Sequence, residues 1–199
     1  IRDRQTTELQ RYATALEREF GEAVDVPEFN DDYFYDKIDI VLEHTPEVVT
    51  FTFGLPSPAI IRSIQTNACQ VGITITNADE AVASVEAGAD FLIVQSSDAG
   101  GHLSVHRQDQ SVTPTVLPDL VQEVRRKVCV PLVAAGGIGT VRQAQQALDA
   151  GAQAVSLGTR FLTATEAGTK PAHANALTSG EFTTCLLYTS PSPRDATLS

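Results

Sequence analysis

Short apolar runs alternate with amphipathic helical stretches from Val48 to Gly158, and this alternation limits the possible folds more than any other feature. It predicts five strands, each separated from the next by a helical pattern. Such repetition is typical of a parallel sheet with right-handed helical crossovers. Both an open doubly wound sheet and a closed eight-stranded barrel satisfy it. The predicted strands are 48–53, 71–76, 91–95, 131–135 and 154–158.

Helical periodicity and end signals predict the helices around these strands. In one of them, Asn77 followed by Glu80 predicts a capping box, in which each side chain accepts a hydrogen bond from an otherwise unpaired backbone N–H. Gly88 then marks the end of that helix. The predicted helices are 4–20, 31–44, 57–68, 78–87, 118–127 and 140–150.

Composition narrows the class of protein. With 199 residues, 42% of them hydrophobic, the chain is long enough for one sizeable core. Its formal net charge of -11 argues against nucleic acid or an anionic membrane surface as a partner, and no apolar run approaches the roughly 20 residues of a membrane span. Cys69, Cys129 and Cys185 lack disulfide or metal-site spacing. We therefore expect a cytoplasmic protein without a metal site.

Both ends of the sequence are unusual. The chain begins at Ile1 and enters an amphipathic helical pattern at once, so we expect further sequence before it. Residues 185–199 resemble a translated sequencing-library adapter, the alternative being a natural Ser/Pro-rich tail. We therefore expect residues 1–184 to form part of a domain. Because its sheet would have open edges, we expect the isolated chain to be unstable or inactive.

The stretch FLIVQSSDAGGH, from Phe91 to His102, carries the clearest sign of chemistry. We expect a strand buried on both faces that delivers the imidazole of His102 to the edge of the sheet where α/β folds place their active sites. An imidazole can act as a general base near neutral pH, although a lone histidine is more often structural. Asp98 could orient the loop. We expect His106 to be solvated, and no motif surrounds His44 or His173.

Two further strand ends have the features of a phosphate site. AAGGI at 134–138 ends a strand with two glycines before a helix whose free N–H groups would face the loop, and SLGT at 156–159 ends the next strand. An ordinary turn without a ligand is the alternative for each. Gln95, polar at the end of an apolar strand, needs hydrogen-bond partners that a ligand with carbonyls and ring nitrogens would supply.

Five segments together resemble the nitronate monooxygenase family, formerly called 2-nitropropane dioxygenases. In order along the chain they are VVTFTFGLP at 48–56, TITNADEA at 74–81, VQSSDAGGH at 94–102, VPLVAAGGI at 130–138 and SLGTRFLTATE at 156–166. The resemblance implies an FMN-dependent TIM (β/α)8 barrel, present here as a fragment that holds the fourth to eighth strands.

The resemblance also implies roles for individual residues. His102 would be the catalytic base that removes the proton α to a nitro group. Leu103, Ser104 and Val105 depart from the family pattern, which usually has a small residue or glycine soon after a basic residue that follows the histidine. This departure leaves the shape of the substrate open. FMN would be held by Thr74, Thr76, Gln95, Gly100, Gly101, Ala135, Gly136, Gly137, Ser156, Leu157, Gly158 and Thr159.

The activity implied by the resemblance is FMN-dependent oxidation of alkyl nitronates or nitroalkanes with dioxygen, giving a carbonyl compound and nitrite. One alternative is an FMN-dependent enoyl-acyl-carrier-protein reductase, which would use NAD(P)H and an acidic carrier partner. The net charge of -11 disfavours that partner. The other is a phosphate-ligand-binding barrel without turnover, in which His102 is structural.

Overall fold

The computed structural model describes residues 2–21, 32–107 and 113–179, which fall in two compact units, residues 1–33 and 34–199. The first unit contains helix α1 (Arg2–Phe20), which confirms the helix predicted at 4–20. The adapter-like residues 185–199 lie outside the described residues. None of the helices in the described ranges is both long and apolar enough to cross a membrane.

The second unit is built on a parallel sheet of five strands that pair in chain order, β1-β2-β3-β4-β5. In a doubly wound sheet the strand order would reverse at a switch point, so sequential pairing identifies five consecutive βα units of a (β/α)8 barrel. The elements are α2 (Phe34–His44), β1 (Val48–Phe51), α3 (Pro58–Gln65), β2 (Gln70–Ile75), α4 (Ala78–Ala87), β3 (Phe91–Gln95), α5 (Leu117–Arg125), β4 (Leu132–Ala135), α6 (Val141–Asp149), β5 (Ala154–Ser156), 3₁₀ helices at Thr159–Thr163 and Thr165–Ala167, and α7 (Pro171–Ser179).

The core lies between the sheet and the helices. The register places Ile73 beside Leu92 and Leu92 beside Leu132, and all three side chains are fully buried. Helices α3 and α5 cover this row with further fully buried aliphatic side chains. Each such side chain contributes about 2 kcal/mol by leaving water. On these two helices the fully buried residues are Ile61, Ile64, Val121 and Val124.

The opposite face of the sheet is less covered, so the expectation that β3 is buried on both faces is wrong. Phe91, Ile93 and Gln95 are only half-buried, in alternation with buried Leu92 and Val94. The physical reason is the sequential strand order, since crossovers of one hand place the helices on one side of the sheet.

Local signals at the ends of α4 are confirmed only in part. The Asn77 side chain accepts a hydrogen bond from the Glu80 N–H at 2.9 Å, and Gly88 ends the helix with φ 109°. The second half of the predicted capping box differs, because the Glu80 carboxylate accepts from Thr76 and not from the Asn77 N–H. Glu80 thereby attaches the first turn of α4 to the end of β2.

Arg125 holds together the ends of β4 and β5 that lie away from the candidate site. Its Nη1 donates to the Val130 carbonyl at 3.0 Å, and its Nη2 donates to the Gly151 carbonyl at 3.2 Å and to Gln153 Oε1 at 2.8 Å. Gln153 Oε1 also accepts from the Leu132 N–H at 2.8 Å. One guanidinium therefore links the amino-terminal ends of two neighbouring strands. In a barrel, residues at this end contribute to stability and not to catalysis.

We expect Arg125→Met to lower the free energy of unfolding by about 2 kcal/mol, because methionine keeps the aliphatic stem but removes the donors to two half-buried backbone carbonyls and to the exposed Gln153 side chain. The matched control is Arg126→Met at the exposed neighbouring position, which should change stability by less than about 0.5 kcal/mol. Urea unfolding of both variants measures the difference. Equal unfolding midpoints would show that this network does not stabilise the fold.

Candidate active site

A cavity of about 670 Å³ opens at the carboxyl ends of β3, β4 and β5, within the size range of about 300–1,000 Å³ that is typical of small-molecule sites. The loops after these strands and one side of α7 form its wall. It brings together nine of the sequence-predicted site residues: Gln95, Gly100, Ala135, Gly136, Gly137, Ser156, Leu157, Gly158 and Thr159.

Four other predicted residues lie beside the cavity wall and not in it. Thr74 and Thr76 stand at the end of β2, the strand next to β3, and both are buried. Gly101 and His102 follow directly on Gly100, which does line the cavity. All four are thus at the same edge of the sheet as the cavity, although none of them forms its surface.

The glycine pair after β4 is required by the packing of two loops. Gly136 and Gly137 have φ values of 97° and 68°, in the region that favours glycine. A Cβ on Gly136 would lie 2.8 Å from Ser96 Oγ and 3.0 Å from the Ala99 nitrogen, and one on Gly137 would lie 2.9 Å from the Asp98 Cβ. The loop after β3 therefore rests directly on the turn after β4.

The start of α6 is capped in part by its own residues, and the expectation that its free N–H groups face the loop stays a prediction. The Gly139 N–H donates to Gln143 Oε1 at 3.0 Å, and the Gln143 N–H donates to Thr140 Oγ1 at 3.3 Å. Thr140 and Gln143 form this cap three residues apart. Gly139, Thr140 and Gln143 also line the cavity, so the start of α6 forms part of its wall.

Gln95 is satisfied by the chain itself, so the expectation that a ligand supplies its partners is wrong. Its Nε2 donates to the His102 carbonyl at 3.1 Å, and its Oε1 accepts from the Ser104 N–H at 2.7 Å. The loop after β3 returns over the end of its own strand, and sequence periodicity does not encode that path. Gln95 also lines the cavity, so it joins the cavity wall to the segment that carries His102.

The imidazole of His102 packs against an aromatic ring that sequence reasoning did not assign to the site. The Phe53 and His102 rings are 6.2 Å apart between centroids and nearly perpendicular, at 88°. Phe53 follows β1, which ends two residues earlier than predicted. An apolar residue just past a strand end is only a weak sign of a site residue. The sequence signal that was available is the position of Phe53 at the same edge of the sheet as the other predicted site residues.

His106 is not solvated as expected. It is half-buried, its Nε2 lies 3.0 Å from the Thr74 carbonyl, and its backbone N–H donates to Glu80 Oε1 at 2.9 Å. The physical reason is again the path of the loop, which carries His106 back to the end of β2. Glu80, predicted as a helix cap, is thereby a buried part of the neighbourhood of the site, with 4% of its surface exposed.

The cavity wall includes polar residues that were not predicted as site residues from the sequence. Arg160 and Thr163 lie on the 3₁₀ helix after β5, and His173 lies on α7. Arg160 directly follows the predicted SLGT turn, and this adjacency was an available signal. A guanidinium beside a glycine turn and a threonine suits an anionic ligand.

Cys69 does not line the cavity, and its surroundings do not activate the thiol. Burial, and secondarily the nearby Asp90 charge, raises the pKa of the Cys69 thiol, which makes this cysteine a poor nucleophile. Within the described ranges, no group of histidine, cysteine and carboxylate side chains is arranged to hold a metal ion.

A family model and individual relatives match the chain under the same description. A family model described as nitronate monooxygenase matches residues 2–197. A probable nitronate monooxygenase from Staphylococcus saprophyticus is 35% identical over 152 residues, which are 75% of this chain and 43% of the relative. The chain spans less than half the length of that relative.

Two solved structures resemble the chain in both sequence and fold. Nitroalkane oxidase from Streptomyces ansochromogenes is 39% identical, with a TM-score of 0.67, over 71% of this chain and 42% of that protein. A variant of FabK from Thermotoga maritima is 33% identical, with a TM-score of 0.61, over 70% of this chain and 44% of that protein.

Proposed function

The chain belongs to the nitronate monooxygenase family, and on this premise we propose that it carries the proton-abstracting part of an FMN-dependent enzyme that oxidises alkyl nitronates or nitroalkanes with dioxygen. The products are a carbonyl compound and nitrite. One observation carries the proposal: the Gln95 side chain lines a cavity of suitable size and at the same time binds the backbone of His102.

The residues of the cavity fit a flavin phosphate. A Cβ built on Gly158 would meet nothing within 4 Å, so the backbone there is open to close approach by an anion. Thr159, with its hydroxyl, and Arg160, with its guanidinium, line the same cavity as Gly136 and Gly137. These residues would hold the phosphate of FMN. When bound, FMN supplies the electron-accepting ring for the redox step.

The residues of the chain have two tasks in this proposal. His102 accepts the proton from the carbon next to the nitro group and so converts a neutral nitroalkane to its nitronate. Gln95 holds the backbone on both sides of Leu103, through the His102 carbonyl and the Ser104 N–H. A substrate that enters already as the nitronate has no need of the base.

Anaerobic spectroscopy of the full-length protein that carries this chain tests the proposal. We expect the purified protein to show an oxidised-flavin spectrum that bleaches when a nitronate is added without air. Failure to bind flavin, even after FMN is supplied, would contradict any flavin-dependent function.

The second candidate is an FMN-dependent enoyl-acyl-carrier-protein reductase, with which the similarity to FabK is compatible. The net charge of -11 weighs against docking of an acidic carrier. In the same anaerobic experiment, a flavin that bleaches with NAD(P)H but not with a nitronate would favour the reductase. A protein that consumes neither class of substrate would favour a binding barrel without turnover.

A further inference from the structure

Glu80 is a buried carboxylate to which the proposed mechanism gives no task. It lies in the first turn of α4 with 4% of its surface exposed, and such burial is unfavourable unless hydrogen bonds compensate for lost water. Its Oε2 accepts from the Thr76 N–H at 2.7 Å and from Thr76 Oγ1 at 2.9 Å. Its Oε1 accepts from the His106 N–H at 2.9 Å. The carboxylate thus links the end of β2 to the loop after β3.

His106 strengthens this link through its side chain. The ring Nε2 lies 3.0 Å from the Thr74 carbonyl oxygen, which can only accept a hydrogen bond, so Nε2 carries the proton. Both the backbone and the ring of His106 are therefore attached to the neighbourhood of β2. Glu80 and His106 together form one anchor of the loop.

Gln95, the last residue of β3, forms the second anchor, and it holds His102, four residues before His106. It binds the carbonyl of His102 and the N–H of Ser104. Between the anchors, the Val105 N–H donates to the Leu103 carbonyl at 3.0 Å. Every residue of the segment 102–106 thus takes part in a hydrogen bond, and the segment is fixed at both ends.

We propose that Glu80 is a positioning residue for His102, because it holds the far end of the segment 102–106 on which the orientation of the imidazole depends. The inference rests on the proposed role of His102 as the base. A base must lie within hydrogen-bonding reach of the proton it removes, and a displacement of about 1 Å can cost about 100-fold in rate. Loss of the anchor should therefore impair proton removal from a nitroalkane more than oxidation of a preformed nitronate.

The test variant is Glu80→Gln, which keeps the shape of the side chain. Its amide NH2 would face at least one of the groups that now donate a hydrogen bond to the carboxylate. Its matched control is Glu86→Gln, an exposed position on the same helix. In the FMN-loaded full-length protein, we expect E80Q to lower the ratio of nitroalkane to nitronate turnover at least about tenfold. E86Q should leave this ratio unchanged. Hydrogen–deuterium exchange should become faster at the Ser104 and His106 amides in E80Q alone.

The outcomes separate this inference from the proposed function. If the wild-type protein oxidises neither substrate, the proposed function fails, and unchanged amide exchange in E80Q would overturn the anchor independently. If the wild-type protein is active, equal loss on both substrates in E80Q overturns the positioning role. Should E80Q not fold, His106→Phe removes only the ring hydrogen bond, and it should lower the same ratio to a smaller extent. An unchanged ratio in that variant counts against the inference.

Discussion

Replacing His102 with alanine should abolish turnover of neutral nitroalkanes while turnover of preformed nitronates largely persists. General-base catalysis contributes about 10²–10⁴-fold to a rate, so the nitroalkane rate should fall by about that factor. The nitronate has already lost its proton, and the alanine variant keeps the backbone carbonyl that Gln95 binds. Initial rates on both forms of one nitro compound, in the FMN-loaded full-length protein, give the comparison.

The control for this variant is His44→Ala. His44 is exposed at the end of α2, where its Nδ1 lies 3.0 Å from the Ile40 carbonyl, and the proposed mechanism does not use it. We expect both substrates to be turned over at the wild-type rate in this control. Because His102 also packs on Phe53, H102A could lower the stability of the loop, but that effect would reduce both rates alike. Equal loss on the two substrates would contradict the base role.

Replacing Gly136 with alanine should damage both the fold and the FMN site. The residue has a φ of 97°, and its Cβ would crowd Ser96 Oγ and the Ala99 backbone nitrogen. Backbone strain of this kind costs about 1–3 kcal/mol, and the loop after β3 would have to move in addition. We expect the free energy of unfolding to fall by about 2 kcal/mol or more, and FMN affinity to fall at least about tenfold.

Gly139→Ala is the matched control for stability, since it lies in the same turn and its Cβ would be 3.8 Å from Gln143 Oε1, an ordinary contact. Urea unfolding and titration with FMN, followed by flavin fluorescence, measure the two effects. If Gly136→Ala unfolds and binds FMN like the wild-type protein, the close packing of the two loops does not shape the site.

Much of the fold was predictable because its signals are local. The bounds of β3 and of α4 agree with the sequence prediction, since an apolar run ends at Gln95 and Asn77 and Gly88 mark the ends of the helix. Parallel pairing followed from the alternation of strands and helices. The alternation could not decide between an open sheet and a barrel, because strand order depends on contacts between elements and not on periodicity.

The site was predictable where glycine and hydroxyl residues follow strand ends, as at Gly136, Gly137 and Thr159, which all line the cavity. The site was less predictable where a loop returns to a neighbouring strand or helix. Nothing in the local sequence pairs His106 with Thr74 and Glu80, which are 32 and 26 residues away. A polar side chain at the end of an apolar strand, such as that of Gln95, indicates that hydrogen-bond partners must exist, but it does not indicate which groups they are.

The wall contributed by α7 shows a different limit. Its residues Pro171–Ser179 have little amphipathic pattern and no buried side chain, so periodicity gave no reason to expect a helix there. His173 reaches the cavity only through the placement of that helix. The place of His173 in the cavity wall therefore depends on the structure, whereas Arg160 could have been found from its position after the SLGT turn.

Nitrite release is the most direct test of the central claim, that the strand ends of this chain belong to an FMN-dependent nitronate-oxidising site. The full-length protein, loaded with FMN, is given a preformed nitronate in air, and nitrite, carbonyl product and dioxygen are followed together. We predict that nitrite and the carbonyl compound form in equal amounts while dioxygen is consumed. A protein that binds FMN but releases no nitrite from any nitronate tested would contradict the claim.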